Sequence, residues 1–359
     1  MDTEILLDPT QDVVTLTAAV CDIPSVSLQE QELTDRIEAA LRRLPHLSVV
    51  RDGNAVVART ELGRAERVVL AGHIDTVPLT APPNLPVRQE GDYLGCRGTT
   101  DMKGGVAVQL RLAATLPEPN RDLTFVFYDA EEIADEFNGL ARLARNRPDL
   151  LAADFAVLLE PTDDAVEGGC NGSLTVQVHT RGTAAHSARP WMGHNAVHDL
   201  ADVLGRIAAG QLPEVEVDGL TYRQSLNAVA VAGGIAHNVI PDHAALVVNL
   251  RYAPHWTPEQ AERYLMGDVF GGLEVEVLDN SAGARPGLDR PAAAAFVEAL
   301  GLPVRAKQGW TDVARFSELG VPAVNFGPGE SQFAHADDER CLVDQIVTAE
   351  AALRRWLAP

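Results

Sequence analysis

Histidines and acidic residues follow four separate apolar runs of this sequence, and their side-chain types suit metal binding. Imidazole together with carboxylate favours zinc, manganese or cobalt, whereas a structural zinc site would usually include cysteine thiolates. In chain order, the residues and the runs that they follow are His73 and Asp75 after RVVLAG (67–72), Glu131 and Glu132 after LTFVFYD (123–129), Glu160 at the end of FAVLLE (155–160), and His335 beyond VPAVNFG (321–327).

A further ligand candidate, Asp101, lies in the glycine-rich stretch GCRGTTDMKGG at the start of a predicted helix. Glycines there allow close approach of the backbone, and a helix dipole favours a carboxylate at its N-terminus. Two histidines and three carboxylates exceed the three protein groups that one catalytic zinc needs. One shared carboxylate with two ligands on either side would hold two metal ions about 3.5–4 Å apart, which polarises a carbonyl and lowers the pKa of water to about 7. The residues therefore predict hydrolysis of an amide.

Taken singly, these signals have ordinary structural explanations. A lone His-x-Asp such as GHIDTVP is more often structural than a ligand motif, and the acidic stretch DAEEIADE is more often a solvated face or a helix start. The joint placement after four strands, together with Asp101, favours the metal site. Six other histidines are expected to be structural or at the surface: His179, His194, His198, His237, His243 and His255.

The elements that must position these residues follow an alternating pattern. In the first half of the chain, short apolar runs alternate with helix-like segments such as KGGVAVQLRLAATL (103–116), which predicts an α/β fold with a mixed, mostly parallel sheet flanked by helices. In open α/β sheets, sites lie in the crevice outside the carboxyl ends of the strands. We therefore expect the histidines and carboxylates to converge at one edge of the sheet.

The pattern changes between about residues 173 and 280. The predicted order there is β-α-β-β-α-β, the split unit of ferredoxin-like domains. This unit is self-contained, and it would interrupt the first domain. The domain prediction is a catalytic domain over 1–174 and 285–359, with an inserted α+β domain over 175–284.

Two helix starts are predicted from cap residues. A helix over 257–270 would begin at the Thr257–Pro258 cap. The last helix, from about residue 342, would follow Asp337 and Asp338 as cap candidates.

Composition bounds the class of protein. With 359 residues the chain is long enough for two domains, and its net charge of −22 argues against nucleic acid and anionic membrane as partners because phosphate groups would be repelled. No uninterrupted apolar stretch approaches 18 residues, and the N-terminus lacks a basic region, so we expect neither a membrane span nor a signal peptide. Four scattered cysteines without a Cys-x-x-Cys pair fit a reducing compartment, and we expect a cytoplasmic protein.

Six stretches resemble, in order and spacing, the co-catalytic di-zinc aminoacylase and carboxypeptidase family of metallopeptidases. The resemblance covers essentially the whole chain. It implies a zinc-exopeptidase-like catalytic domain whose inserted domain acts as a lid and forms the interface of a homodimer. The stretches are AGHIDTVP, GCRGTTDMKGG, YDAEE...EFNG, LLEPT, TRGTAAHSARP and HNVIPD.

Three stretches are similar to the actinobacterial desuccinylase branch of this family. They are RGTAAHSARPWMGHNA, GWTDVARFSELGVPAVNFGPGE and AHADDER. The similarity implies hydrolysis of N-succinyl-LL-2,6-diaminopimelate by water to LL-2,6-diaminopimelate and succinate, a step of lysine and cell-wall biosynthesis. It also implies two Zn²⁺ per subunit, with Co²⁺ or Mn²⁺ as an alternative at one position.

The resemblance assigns a place to each metal ligand. His73 and Glu160 would hold one zinc ion, and Glu132 and His335 would hold the other. Asp101 would bridge the two ions.

Three further residues would act in catalysis. Asp75 would orient His73, as carboxylates commonly do for metal-bound imidazole. Glu131 would be the general base that takes a proton from the attacking water and passes it to the leaving amine. His186 of the inserted domain would reach the partner subunit's site and help to stabilise the tetrahedral oxyanion. Without the resemblance, His186 is best explained as a turn residue.

Substrate contacts are implied at three positions: Asn238 in HNVIP, Arg251 in NLRY and Thr311 in GWTDVARF. A guanidinium group suits a substrate that carries carboxylates. One departure concerns Asn171 in GGCNGSL, because other desuccinylases carry a carboxylate-binding arginine at this place. Candidates to replace that arginine are Arg181, Arg189 and Arg315.

Two alternatives stay open on the sequence. Other N-acyl amino-acid amidohydrolases of the family, acetylornithine deacetylase-like or dipeptidase-like, share these motifs. A non-catalytic binding protein would not require Glu131 beside a complete ligand set, which counts against it. Nucleotide binding is not supported, because GCRGTTDMKGG lacks the Gly-Lys-Ser/Thr element of a phosphate-binding loop.

Overall fold

The computed structural model describes residues 7–359. They form two compact units. The first unit contains residues 7–168, 287–305 and 315–359, and the second contains residues 169–286 and 306–314.

Short strands and helices alternate over most of the described chain. The strands are β1 Ser48–Asp52, β2 Ala55–Arg59, β3 Arg67–His73, β4 Arg88–Glu90, β5 Tyr93–Gly95, β6 Asp122–Tyr128, β7 Phe155–Pro161, β8 Val166–Gly168, β9 Gly172–Arg181, β10 Val215–Val217, β11 Leu220–Tyr222, β12 Ser225–Gly233, β13 His243–Tyr252, β14 Glu274–Ser281, β15 Val304–Ala306, β16 Ala323–Gly327 and β17 Arg340–Leu342. The α-helices are α1 Val13–Cys21, α2 Gln31–Arg42, α3 Gly104–Thr115, α4 Gly139–Asn146, α5 Pro148–Leu151, α6 Ala196–Ala209, α7 Pro258–Tyr264, α8 Pro291–Leu300, α9 Val313–Glu318 and α10 Val343–Leu357.

Eight strands of the first unit form one sheet in the order β1-β2-β6-β3-β7-β16-β8-β15. The four central strands, β6, β3, β7 and β16, run parallel to one another, whereas β1, β2 and β8 pair antiparallel with their neighbours. Parallel strands are usually covered on both faces and therefore read as continuous apolar runs. In β3, for example, Val68 and Ala71 are almost fully buried. The predicted mixed, mostly parallel sheet is confirmed.

Helix α3 packs closely on the strand that carries Glu160. A side-chain carbon added to Gly105 would lie 2.3 Å from the backbone oxygen of Leu159 in β7, so only glycine permits this approach. The glycines of the KGG stretch therefore bring the start of α3, and Asp101 just before it, close to the end of β7.

A separate small sheet joins two distant parts of the first unit. Its order is β17-β5-β4, and Arg340 of β17 pairs with Gly95 of β5. This pairing places the chain that precedes β17, which carries His335, beside the chain that follows β5, which carries Asp101.

The second unit has the predicted ferredoxin-like order. Elements β9, α6, β12, β13, α7 and β14 follow one another, with the hairpin β10–β11 after α6, and the antiparallel sheet has the order β12-β13-β9-β14. Val176 and Val178 of β9 lie with Leu246 and Val248 of β13 in a core that also contains Leu200 of α6. Because successive side chains of a strand point to opposite faces, the residues between them lie on the other face of the sheet.

One predicted helix cap is confirmed and the other is wrong. Thr257 and Gln260 form a capping box, in which each side chain accepts a hydrogen bond from the backbone N–H of the other residue. Helix α10 begins at Val343, directly after β17, and has no side-chain cap. Asp337 and Asp338 precede the strand and therefore do not cap the helix.

The boundaries of the second unit differ from those predicted for the inserted domain. The predicted segment 175–284 lies within it, but the unit also includes residues 169–174, 285–286 and 306–314, which were predicted to belong to the catalytic domain. The physical reason is a set of hydrogen bonds to Asn171, which is 1% exposed. Its Nδ2 donates to the backbone oxygens of Arg223 (2.8 Å) and Gln308 (2.9 Å). The asparagine that departs from the family pattern therefore joins three segments of the second unit.

Two expectations from composition concern the whole described chain. No helix within residues 7–359 is both long and apolar enough to cross a membrane. All four cysteines are buried, unbridged thiols.

Candidate active site

The first unit brings all five candidate metal ligands together. His73 is the last residue of β3, and Glu160 lies near the end of β7. Asp101 lies in the turn before α3, and Glu132 in the loop after β6. His335 lies between β16 and β17, in the left-handed backbone region with φ of 63°. As expected for an open α/β sheet, the strand ends and the loops that follow them carry the site.

Asp101 lies between the two histidines. Its Oδ1 is 3.2 Å from His73 Nε2, and its Oδ2 is 3.2 Å from His335 Nε2. Glu160 Oε1 is 3.9 Å from His73 Nε2, and Glu132 Oε2 is 3.0 Å from His335 Nε2. Each histidine therefore shares Asp101 and has one carboxylate of its own, which is the grouping expected for two neighbouring metal positions.

Proximity of the carboxylates favours the protonated form of both histidines. Burial opposes the charge on His73, but hydrogen bonds to Asp101 and Asp75 and the charge of Glu160 outweigh it and raise the pKa of His73 well above its usual value. Hydrogen bonds to Asp101 and Glu132 raise the pKa of His335 to about 10. Burial would raise the pKa of Asp101, yet the hydrogen bonds from both imidazoles lower it. A metal ion that binds here must displace these protons.

Asp75 fixes the loop that carries the two adjacent glutamates. Its Oδ1 accepts a hydrogen bond from the backbone N–H of Glu131 (3.0 Å), and its Oδ2 accepts one from Glu132 (3.2 Å). Its Oδ1 also lies 3.5 Å from His73 Nδ1, and its backbone oxygen lies 3.1 Å from the same nitrogen. One fully buried carboxylate thus orients a histidine and the Glu131–Glu132 pair.

Several supporting residues were missed in the sequence. Ser27 Oγ donates to Asp75 Oδ2 (2.8 Å) from 48 positions away, so nothing local could indicate it. Lys103 is 1% exposed, and its Nζ donates to the backbone oxygen of Ile23 (2.7 Å). Arg97 and Glu339 form a buried ion pair at 3.0 Å. Arg97 and Glu339 stand inside two motif stretches, GCRGTTDMKGG and AHADDER, which was the only signal available for them.

The predicted residues His186, Asn238, Arg251 and Thr311 all lie in the second unit. The segments of His186 and Asn238 are adjacent, because Ser187 N donates to the backbone oxygen of Asn238 at 2.9 Å. Arg251 lies in β13, and Thr311 is buried.

Two of the arginines considered as replacements already have acidic partners. Arg181 pairs with Glu274 at 3.0 Å. Arg315 pairs with Asp135, which explains one acidic residue of the DAEEIADE stretch as a supporting charge.

Comparison with known proteins places the chain in a family. Residues 69–358 match the model of peptidase family M20/M25/M40. The chain belongs to this family. A Corynebacterium glutamicum protein named succinyl-diaminopimelate desuccinylase is 46% identical over 363 residues, which covers 98% of each chain. A Mycobacterium tuberculosis protein to which the same activity is provisionally assigned is 53% identical over 355 residues, covering 98% of this chain and 99% of that one.

The fold is also that of a solved member of the M20 family. A metallo-carboxypeptidase from Sulfolobus solfataricus superimposes with a TM-score of 0.80 over 96% of this chain and 98% of that chain, at 17% identity. The family and the fold that the sequence motifs implied are therefore confirmed.

The residues of the site fit a metal centre. Ligand atoms of His73, Asp101 and Glu132 all lie within 4.8 Å of one another. Imidazole nitrogens and carboxylate oxygens without thiolates are the donors of catalytic rather than structural zinc sites. The His/Asp/Glu cluster is thus a candidate metal site in a family with a metallo-carboxypeptidase member.

Metal uptake by this site is expected to release protons. A metal ion must displace the protons of His73 and His335, so apparent zinc affinity should fall about tenfold per pH unit for each displaced proton as the pH is lowered below the raised pKa values of these histidines, about 10 for His335. Calorimetric zinc titrations in two buffers with different ionisation enthalpies measure the number of protons released. The variant His335→Ala should release fewer protons than the wild type, whereas His198→Ala, an exposed residue of α6, should not differ. Zinc affinity that is independent of pH would contradict this account.

Proposed function

We propose that this protein is a metal-dependent desuccinylase that hydrolyses N-succinyl-LL-2,6-diaminopimelate to LL-2,6-diaminopimelate and succinate, in lysine and cell-wall biosynthesis in the cytoplasm. The observation that carries the proposal is the grouping of two histidines, Glu132 and Glu160 around Asp101, with Glu131 adjacent to Glu132 in the chain. The relatives named for this activity match over almost the whole chain, which supports the choice of substrate. Acetylornithine deacetylase-like and dipeptidase-like activities are not favoured.

Two metal positions would use the five ligands. His73 and Glu160 would hold one Zn²⁺, His335 and Glu132 the other, and Asp101 both, with Co²⁺ or Mn²⁺ as an alternative at one position. When bound, such a pair supplies a polarised substrate carbonyl and water of lowered pKa. Proton transfer and substrate binding are assigned to other residues of the chain.

Glu131 is the proposed general base. Both carboxylate oxygens of its neighbour Glu132 lie about the same short distance from His335 Nε2, at 3.1 and 3.0 Å, which supports the proposal that Glu132, and not Glu131, is the ligand. The backbone N–H groups of both glutamates are fixed by Asp75, which holds the loop rigid. Glu131 would accept a proton from the attacking water and return it to the leaving amine of diaminopimelate.

Arg251 is the proposed partner of a substrate carboxylate. Its guanidinium is partly buried, which lowers its pKa, and its Nε donates to Asn249 Oδ1 at 3.1 Å. Within the part of the chain that the structure describes, Arg251 has no acidic partner at ion-pair distance, unlike Arg181, which pairs with Glu274. An arginine held in place but not neutralised suits bidentate binding of a carboxylate. Asn238 and Thr311 would add polar contacts to the substrate.

The second unit is proposed to form a homodimer. Strand β12 is the outermost strand of its sheet, and Val229 (58%) and Val231 (64%) are largely exposed on it. An exposed apolar edge strand without proline is a template for pairing with another strand. A second copy offers the same edge, and two-fold symmetry would pair the two strands antiparallel. In the dimer, His186 would act on the oxyanion formed in the partner subunit.

Succinyl specificity is expected to depend on Arg251. Replacing Arg251 by Gln should raise KM for succinyl-diaminopimelate about tenfold or more, because a charge-assisted bidentate contact is lost, and should leave the weaker turnover of acetylornithine unchanged. Initial rates on succinyl-diaminopimelate, acetylornithine and a simple dipeptide with metal-reconstituted protein provide the measurement.

The matched control for this experiment is Arg181→Gln, which removes an arginine already paired with Glu274 and should not alter KM. A wild-type protein that turns over acetylornithine or the dipeptide faster than succinyl-diaminopimelate would overturn the proposed substrate. A metal-loaded protein inert on all three would instead revive the binding-protein alternative.

Replacing Glu131 by Gln is expected to preserve metal content while lowering kcat by about 10²–10⁴-fold, since general base catalysis contributes this much. Elemental analysis and initial rates test both parts. The control Glu136→Gln changes an acidic residue of the same stretch and should keep nearly normal activity. Near-normal turnover by the Glu131 variant would exclude it as the base.

The dimer is expected to depend on the outer edge of β12. Replacing Val231 by Lys should shift the protein from dimer to monomer in sedimentation velocity, because the buried charge would oppose strand pairing. The control Val277→Lys introduces the same change on β14, the opposite edge of the same sheet, where the side chain is 42% exposed. This variant should remain a dimer. A dimer unaffected by Val231→Lys would contradict the proposed interface.

The role of His186 can be tested in the same dimer. A mixture of inactive His186→Ala and Glu131→Gln chains should regain activity, because one site of each heterodimer combines an intact Glu131 with an intact His186 of the partner chain. No recovery after subunit exchange would place His186 outside the partner's site.

A further inference from the structure

The turn that carries Asp101 is irregular: one wide backbone hydrogen bond, from Lys103 N to Gly98 O (2.7 Å), closes it. Gly98 has a φ of 86°, and the φ/ψ angles of Asp101 and Met102 are not helical, although α3 begins two residues later. Groups of a functional site have to be held to within about 0.5 Å of their working positions. One backbone hydrogen bond spans the turn, so contacts from residues outside it contribute to the position of Asp101.

Glu339 holds this turn by its backbone. Its Oε1 accepts hydrogen bonds from the N–H groups of Thr100 and Asp101, both at 3.1 Å. Its Oε2 accepts one from Arg97 Nη1 at 3.0 Å. Glu339 is 2% exposed and Arg97 is 4% exposed, so this is a buried ion pair whose carboxylate also binds two main-chain donors. Removal of either partner would leave the other charge buried and unpaired.

The same contacts join the turn to the segment that carries His335. Glu339 stands four positions after His335, and Asp101 Oδ2 is 3.2 Å from His335 Nε2. Asp101 and His335 are thus connected twice, once through their side chains and once through Glu339. Three further hydrogen bonds connect the two segments: Cys96 N to Glu339 O (3.1 Å), Arg97 Nη1 to Ala336 O (3.0 Å) and Thr100 Oγ1 to Arg340 O (2.6 Å).

We infer that Glu339, neutralised by Arg97, is a positioning residue that fixes Asp101 relative to His335 and thereby sets the affinity of the site for metal ions. The inference rests on the proposed function, because it takes Asp101 and His335 as metal ligands. Glu339 is not proposed as a metal ligand, because its two oxygens accept hydrogen bonds from the N–H groups of Thr100 and Asp101 and from Arg97 Nη1. Groups that orient metal ligands in this way commonly change metal affinity 10–100-fold when they are replaced.

The contacts require a carboxylate of this length. A glutamine could present one oxygen to the two N–H groups, but its NH₂ would then face the guanidinium of Arg97, donor against donor. An aspartate, shorter by one methylene, could not reach the turn and Arg97 together. Both replacements keep the side chain polar, so they disturb the position of Asp101 more than the apolar core.

The test compares Glu339→Gln and Glu339→Asp with a matched control in the full-length protein. The control, Glu167→Gln, also changes a buried glutamate that pairs with an arginine, at 2.9 Å from Arg305 Nε, but it lies in β8, outside the turn of Asp101. Zinc dissociation constants, from competition with a chelator, should be about 10–100-fold weaker in the Glu339 variants and within about twofold of the wild type in Glu167→Gln. The visible absorption of the cobalt-substituted protein should change only in the Glu339 variants.

A purely structural role predicts a different result. If the Glu339 variants lose thermal stability as Glu167→Gln does, yet keep wild-type zinc affinity and cobalt absorption, the inference is overturned. If neither Glu339 variant folds, Arg97→Lys decides. It keeps a positive charge but loses the planar guanidinium that donates to Glu339 Oε2, Ala336 O and Pro78 O from fixed positions. Wild-type zinc affinity and absorption in that variant would likewise overturn the inference. A wild-type protein that binds no zinc would overturn the proposed function itself, which distinguishes the two failures.

Discussion

The carboxylate of Asp101 has to reach two imidazole groups at once, and much of the first unit is arranged so that it can. Its two oxygens lie 3.2 Å from His73 and from His335, which come from the end of β3 and from a loop near the end of the chain. The parallel sheet brings His73 and Glu160 to one edge, and the small sheet β17-β5-β4 brings the loop of His335 beside the turn of Asp101. Gly105 then allows α3 to approach β7 so that this turn lies at the same edge.

The negative charges of the clustered carboxylates also favour the binding of cations between them. Asp101, Glu132 and Glu160 place three carboxylates around two imidazoles, and Asp75 lies beside His73, so even two imidazolium groups leave negative charge uncompensated in a largely buried site. The raised pKa values of His73 and His335 are the response of the two imidazoles to this excess. Two divalent ions would more than neutralise the three carboxylates and release the imidazoles as neutral ligands. The excess of negative charge in this site therefore favours cations, either protons or metal ions.

Much of the fold and most of the ligand set could be predicted from the sequence, for a physical reason. Parallel strands are apolar throughout, and the polar residue that ends each one, such as His73 or Glu160, marks the edge where sites form. Helix starts are harder to predict from the sequence. The cap at Thr257 is predictable because its capping box is formed by residues three positions apart. Asp337 and Asp338 do not cap the last helix, because a short strand separates them from it.

Contacts between distant segments could not be predicted in this way. Asn171 binds the backbone of Arg223 and Gln308, and Glu339 binds the N–H groups of the Asp101 turn; both use main-chain groups that every residue has. Such contacts leave no pattern in the sequence of the partner segment. For this reason the assignment of residues 306–314 to the second unit, and the support of Asp101, became visible only in the structure.

Because the chain and its proposed substrate are both negatively charged, binding requires positive side chains close to the bound substrate. A chain with a net charge of −22 repels a molecule that carries three carboxylates, so attraction at long range cannot favour binding. Most arginines that could help are already neutralised, as Arg181 is by Glu274, Arg315 by Asp135 and Arg97 by Glu339. Arg251 is held by Asn249, a neutral residue, and is the proposed partner of a substrate carboxylate. Selectivity for a succinyl group over an acetyl group would then follow from one unneutralised guanidinium, because the two acyl groups differ in the carboxylate that it would bind.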